Sequence, residues 1–179
     1  MLSLSSSEML ALWRRALGFE TLRTDCSVEA VEGIDIDAAI SLRMRQWYLD
    51  LLDSADPDLL PVSDIAPQAS LSQPQNDGSA IICLPENARR VLSLRLNRWM
   101  RYASPRTPDS VSDILALMAS PYGRPGIYSP LAVLLPHALM VAPAQSDSIA
   151  SLLAVIDPGP ESYILDESLL ALIPKTLKP

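Results

Sequence analysis

The sequence predicts an α+β fold: an N-terminal helical pair or bundle, then a mostly antiparallel β-rich region carrying one inserted helix. Three observations predict it. Apolar residues recur at helical spacing in two N-terminal segments. Downstream segments instead alternate apolar with polar residues, or run apolar over short stretches. Sixteen prolines against six glycines fall mostly between these segments, so many short elements are joined by stiff connections.

The elements follow in order. Ser5-Ser-Ser-Glu8 has capping-box spacing, and Met9, Leu10, Trp13 and Leu17 follow at helical intervals until Gly18. A first helix is expected over residues 6 to 17. Asp35 or Asp37 caps a second helix, whose apolar face is Ile36, Ile40, Met44, Trp47, Tyr48, Leu51 and Leu52. Trp47 sits centrally on that face, and the helix ends before Asp56-Pro57. A short strand is expected near residues 69 to 72, then a turn at Gln73-Pro-Gln-Asn-Asp-Gly78 and a buried strand over 81 to 84. Pro85-Glu-Asn-Ala-Arg89 reads as one helical turn. Leu92, Leu94 and Leu96 alternate with Ser93, Arg95 and Asn97, as a half-buried strand does.

Thr107-Pro108-Asp109 places a cap, a first-turn proline and a first-turn acid ahead of Val111, Ile114, Leu115 and Met118, which predicts a helix near 108 to 120. Residues 131 to 135 and 138 to 142 read as paired strands around Pro136-His137, and 149 to 156 as a further strand. Asp166 caps a last short helix over 167 to 173. The expected division is a helical region over 1–66 and a β-rich region over 67–179, within one compact unit.

Several function classes are excluded early. Cys26 and Cys83 make neither a Cys-x-x-Cys pair nor a disulfide framework, and read as two buried reduced thiols in a protein folded in the cytoplasm. No secretory signal is visible at the N-terminus. Residues 125 to 146 hold no Asp, Glu, Lys or Arg, but four prolines interrupt them. The strongly apolar part falls short of the ~20 residues a bilayer needs, so two buried strands are expected there and no membrane association. His137 is the only histidine, no Gly-x-Ser-x-Gly elbow accompanies it, and a turn residue is expected rather than a catalytic base. Asp35-x-Asp37 and Asp56-x-Asp58 are too sparse for a metal site. No phosphate-binding glycine loop is present, so neither metal nor cofactor is expected.

Charge placement is more informative. The net charge is −7, which disfavours a general nucleic-acid coat. Residues 20 to 64 carry eleven acids and three arginines, whereas residues 86 to 106 carry six arginines and one acid. Trp99 and Tyr102 lie among those arginines, the composition of an interface anchor. If the strand runs straight, Arg95 and Trp99 both face outward. The expected interface residues are Arg95, Arg98, Trp99 and Arg101, with Asp53 and Asp56 of another copy as their counterpart.

The segment IICLPENARRVLSLRLNRW, residues 81 to 99, resembles a phrase recurring in bacteriophage virion proteins: a strand ending in Leu-Pro, one turn, then an alternating strand. It looks like the tail adaptors, or head–tail connectors, of short-tailed phages and prophages, in which N-terminal helices form a bundle and a β domain follows. The resemblance implies a non-enzymatic ring subunit of the virion, assembled in the host cytoplasm with other copies of itself, between the portal and the distal tail proteins. DNA contact is not implied. Two other readings stand beside it: a small cytoplasmic protein-binding or regulatory module, and a hydrolase using His137.

Overall fold

The computed structural model describes residues 1–19, 35–107, 116, 118, 120, 122–144 and 148–176. It is α+β, with N-terminal helices and mostly antiparallel sheets. The chain forms two compact units. One comprises Met1–Pro61 together with Asp157–Pro179; the other is Val62–Ile156. The expected boundary at 66/67 therefore differs from the observed one at 61/62. The C-terminal segment belongs with the helices and not with the strands before it.

The first unit opens with strand β1 (Leu2–Ser5) and helix α1 (Ser6–Ala16). The capping box forms as its spacing predicts: the Glu8 amide donates to Ser5 Oγ at 3.3 Å, and the Ser5 amide donates to Glu8 Oε2 at 2.8 Å. Of the two candidate caps for helix α2 (Ile36–Ser54), Asp35 is the one used, accepting from the Asp37 and Ala38 amides at 3.0 and 3.1 Å. The Arg14 guanidinium pairs with Asp37, joining the last turn of α1 to the first turn of α2, and that hydrogen bond holds the Asp37 carboxyl below its usual range.

Packing corrects the centre of the α2 face. Ile40, Met44, Tyr48, Leu51 and Leu52 are buried, while Trp47 is half-buried. Trp47 instead meets the fully buried Trp13 of α1 edge to face, with ring centres 5.7 Å apart. The apolar row of the helix is the i, i+4, i+8 line through Met44, and Trp47 lies at its margin.

The unit closes with strand β9 (Ser162–Leu165), antiparallel to β1 in the register Leu2↔Leu165. Both backbone groups of Ile164 meet one side chain of α2. The Ile164 amide donates to the Tyr48 hydroxyl at 3.0 Å, and that hydroxyl donates to the Ile164 carbonyl at 2.9 Å. Tyr48 thereby does for β9 what a further strand would do. Arg45, one turn earlier, pairs with Asp157, donates to the Gly159 carbonyl at 3.0 Å and sits over the Tyr48 and Tyr163 rings. Asp166 caps a 3-10 turn (Glu167–Leu172), close to the last short helix expected there.

The second unit holds two antiparallel sheets. Strands β2 (Val62–Asp64), β5 (Ala88–Leu96) and β8 (Ile149–Ile156) pair in the order β2-β8-β5. Strands β3 (Ser70–Leu71), β4 (Ala80–Cys83), β6 (Leu131–Leu135) and β7 (Ala138–Ala142) pair in the order β3-β4-β7-β6. One apolar cluster draws on both sheets, including Ile82, Leu139 and Val141 from the larger and Leu94, Leu96 and Leu152 from the smaller. Asp64 fastens the end of β2. Burial alone would raise its carboxyl, but the Ala66 and Leu152 amides and the Ser151 hydroxyl outweigh that and hold it below its ordinary value.

The apolar stretch without charges is the β6–β7 hairpin, and no helix among the described residues is long and apolar enough to cross a membrane. Residues 85 to 88 form a turn closed by the Ala88 amide on the Pro85 carbonyl at 3.0 Å, not a helical turn, and β5 begins at once. Cys83 is exposed, contrary to the expected buried thiol, because alternation along β4 buries Ala80 and Ile82 and leaves Cys83 on the other face. Cys26 lies outside the described residues. So does most of the helix expected near 108–120, although Ala116 and Met118 are helical.

Candidate protein-interaction surface

The arginine-rich segment begins on β5. Leu94 and Leu96 point into the core, so Arg95 stands on the opposite side, half-buried, as alternation requires. Its guanidinium carbon lies 5.2 Å from the centre of the Tyr102 ring.

After Leu96 the alternation ends, because the chain turns. The Trp99 amide donates to the Leu96 carbonyl at 3.0 Å, and the Asn97 amide donates to the Ser148 carbonyl at 3.0 Å. Ala103 then returns beside β5, exchanging hydrogen bonds of 2.8 and 2.9 Å with Leu94. Residues 97 to 102 are therefore a loop. Arg98 and Arg101 are exposed on it, as expected.

Trp99 is not. It is 2% exposed within the apolar cluster, and its Nε1 donates to the Pro143 carbonyl at 2.8 Å. The outward Trp99 expected from a straight strand is thus corrected: the turn after Leu96 rotates it inward, where its ring is buried and its N–H satisfied. Trp99 anchors the loop from beneath and is removed from the set of surface contacts.

The surface around the loop is built from two further segments. The Met100 amide donates to the Ile127 carbonyl at 2.9 Å, which fastens the loop to the tight turn joining Gly126 and Ser129. The Arg106 amide donates to the Ala132 carbonyl at 3.0 Å, and the Leu134 amide to the Arg106 carbonyl at 2.8 Å, so residue 106 lies along β6. Between these segments opens a cleft of about 350 Å³ whose lining includes Arg101, Tyr102, Arg106, Tyr128 and Ser129. Met100, Tyr102 and Tyr128 are 62, 55 and 65% exposed. Large side chains this open to water, interleaved with arginines, have the composition of a binding surface.

Met100 and Tyr128 were not among the residues the sequence singled out. Tyr128 had one signal, an aromatic residue inside Pro125-Gly-Ile-Tyr-Ser-Pro130, where turn chemistry forces exposure. Asp53 and Asp56 belong to the other unit and are exposed. Asp56 is also a structural cap, accepting from the Asp58 amide at 3.1 Å.

Charge divides between the units. Met1–Pro61 with Asp157–Pro179 carries 15 acidic and 7 basic residues, a net −8; Val62–Ile156 carries 6 acidic and 7 basic residues, a net +1.

His137 is exposed at the turn of the β6–β7 hairpin with a φ of 55°, after Pro136, and its carbonyl accepts from the Leu84 amide at 3.1 Å. That left-handed backbone suits Asn and penalises β-branched residues. His137→Asn should leave the melting temperature unchanged, while His137→Val should cost about 1–2 kcal/mol. Thermal denaturation of both variants checks this. Loss of a hydrolytic activity in the Asn variant would instead show a chemical role for the imidazole.

Among the described residues no group of three or more His, Cys, Asp or Glu side chains could hold a metal ion. No protein-family model matches this chain, and no curated protein is significantly similar to it.

Proposed function

We propose that this protein is a non-enzymatic virion subunit of the head–tail connector type, forming a ring between the portal and the distal tail proteins of a bacteriophage. The observation that carries the reading is the pair of unlike surfaces. One unit presents an exposed arginine, tyrosine and methionine surface, and the other carries the acidic excess. A ring needs heterologous contacts, in which one face of a copy meets a different face of the next. Opposite charge on the two faces favours that pairing and disfavours like-with-like contacts.

The segment over residues 81 to 99 supports the same reading. It runs as a strand, a Leu84-Pro85 turn and an alternating strand, the order that the connector proteins share. Assembly would take place in the host cytoplasm, and the product would reside in the virion.

Mass photometry of the purified full-length chain tests the reading. The expected result is a single population at a large multiple of the 19.5 kDa subunit. A monomer that neither concentration nor the portal protein drives into a larger species would overturn it. The small protein-binding module would then be the better description.

A further inference from the structure

Resting on that self-assembling reading, we infer that the cleft between Arg101, Arg106 and Tyr128 seats the acidic C-terminal end of α2 from a second copy of this chain. The cleft has cationic walls, and its lining holds no carboxylate. No acid occurs in residues 101 to 106 or 128 to 132, the stretches that line it. Arg98, Arg101 and Arg106 form no ion pair among the described residues.

Arg95 adds to this positive field. It lies against the Tyr102 ring, and its buried Nε has no hydrogen-bond partner among the described residues. The guanidinium forks of Arg101 and Arg106 match carboxylates in a planar, two-pronged fashion. Tyr102 and Tyr128 supply rigid contact area that loses little conformational freedom on binding.

The occupant follows from charge. Helix α2 ends with Asp50 and Asp53 and has no basic residue in its last turn. Exposed Asp56 and Asp58 come next. Carboxylates at a helix C-terminus face the negative end of the macrodipole, so a cation brought to this end of α2 is favoured. The cleft lies on one unit and the acids on the other. Each copy can therefore offer its acids to one neighbour and its cleft to the next, and the contact propagates in a head-to-tail series.

A charge swap tests the contact in the full chain. One variant carries Arg101→Glu and Arg106→Glu. The other carries Asp53→Arg and Asp58→Arg and keeps Asp56, which caps the turn after α2. All four positions are exposed, and circular dichroism checks that both variants fold. Each variant alone should lose self-association, its dissociation constant rising at least about tenfold. Mixing the two should restore assembly, because each reversed face now meets a complementary one.

The outcomes separate two failures. Wild-type protein that never self-associates overturns the ring reading, and the contact with it. Wild-type protein that assembles, with both variants assembling equally well, overturns the contact alone. Loss of assembly in each variant without recovery in the mixture shows that these two faces do not meet each other. Binding of a labelled DNA duplex that Arg101→Glu/Arg106→Glu abolishes, with wild-type-like assembly in that variant, would assign the cleft to nucleic acid instead.

Discussion

Trp99→Ala should destabilise the strand-rich unit by about 3–5 kcal/mol, the range for truncating a fully buried tryptophan. The indole is 2% exposed among Leu94, Leu96, Ala132 and Ala144 of one apolar cluster, so its removal leaves a void that its neighbours only partly refill. The Pro143 carbonyl also loses its donor, the Nε1 at 2.8 Å. Trp99→Phe separates the two contributions: the ring is largely replaced and the hydrogen bond is not, for an expected cost of about 1–3 kcal/mol. Chemical denaturation followed by near-ultraviolet circular dichroism measures both. A Trp99→Ala protein with an unchanged midpoint and lost assembly would return the residue to the surface.

Tyr48→Phe should cost about 1–3 kcal/mol, because the Ile164 amide and carbonyl lose the hydroxyl that serves both. Tyr48→Ala should cost about 3–5 kcal/mol, since the fully buried ring also packs edge to face on Tyr163 at a centre separation of 4.9 Å. The hydroxyl carries a pH signature. Burial pushes it up to about 12, an effect that the Ile164 contact and the nearby Arg45 cation only partly offset. The folded protein thus holds this proton more tightly than the unfolded chain, whose tyrosines titrate near 10. The stabilisation is complete below about pH 10 and is lost as pH rises through 12. Melting temperatures of wild type should fall more steeply than those of Tyr48→Phe across that window. Parallel curves would show that the hydroxyl is not protected.

How much of this was legible in the sequence depends on the range of the interaction that decides each element. Ser5 with Glu8, and Asp35 ahead of α2, are local side-chain-to-backbone devices, so helix starts could be read directly. The β6–β7 hairpin was legible because continuous apolar runs flanked by prolines leave few alternatives, and β8 because its short apolar stretch follows a polar turn sequence. Strands β1, β2 and β9 were not. They have three or four residues each and exist through partners far along the chain, such as Leu2 against Leu165.

The candidate surface was half legible. Clustering of arginines marked Arg98 and Arg101, because charge repels burial wherever the chain runs. Orientation was not legible at Trp99. A period-two extrapolation is valid only while the strand lasts, and the turn set by Trp99 on Leu96 carries no Gly or Pro to announce it. The cleft joins residues 101 to 106 with 128 to 132, a pairing that tertiary contacts alone create.

The split first unit has a consequence for biogenesis. Its closing strand pairs residues 2 and 165, so β1 finds its partner only once residue 165 has been synthesised. Bringing such distant ends together also carries a loop-closure entropy that grows with separation. Val62–Ile156, by contrast, is contiguous, and all of its strands have left the ribosome before β9 emerges. The inserted unit therefore needs nothing from β9 to complete its sheets, whereas the α2 row holding Met44 and Tyr48 lacks its cover until residues 162 to 165 are available. The arginine cleft is thus complete without the C-terminal segment, while the packing of α2 at Tyr48 is not.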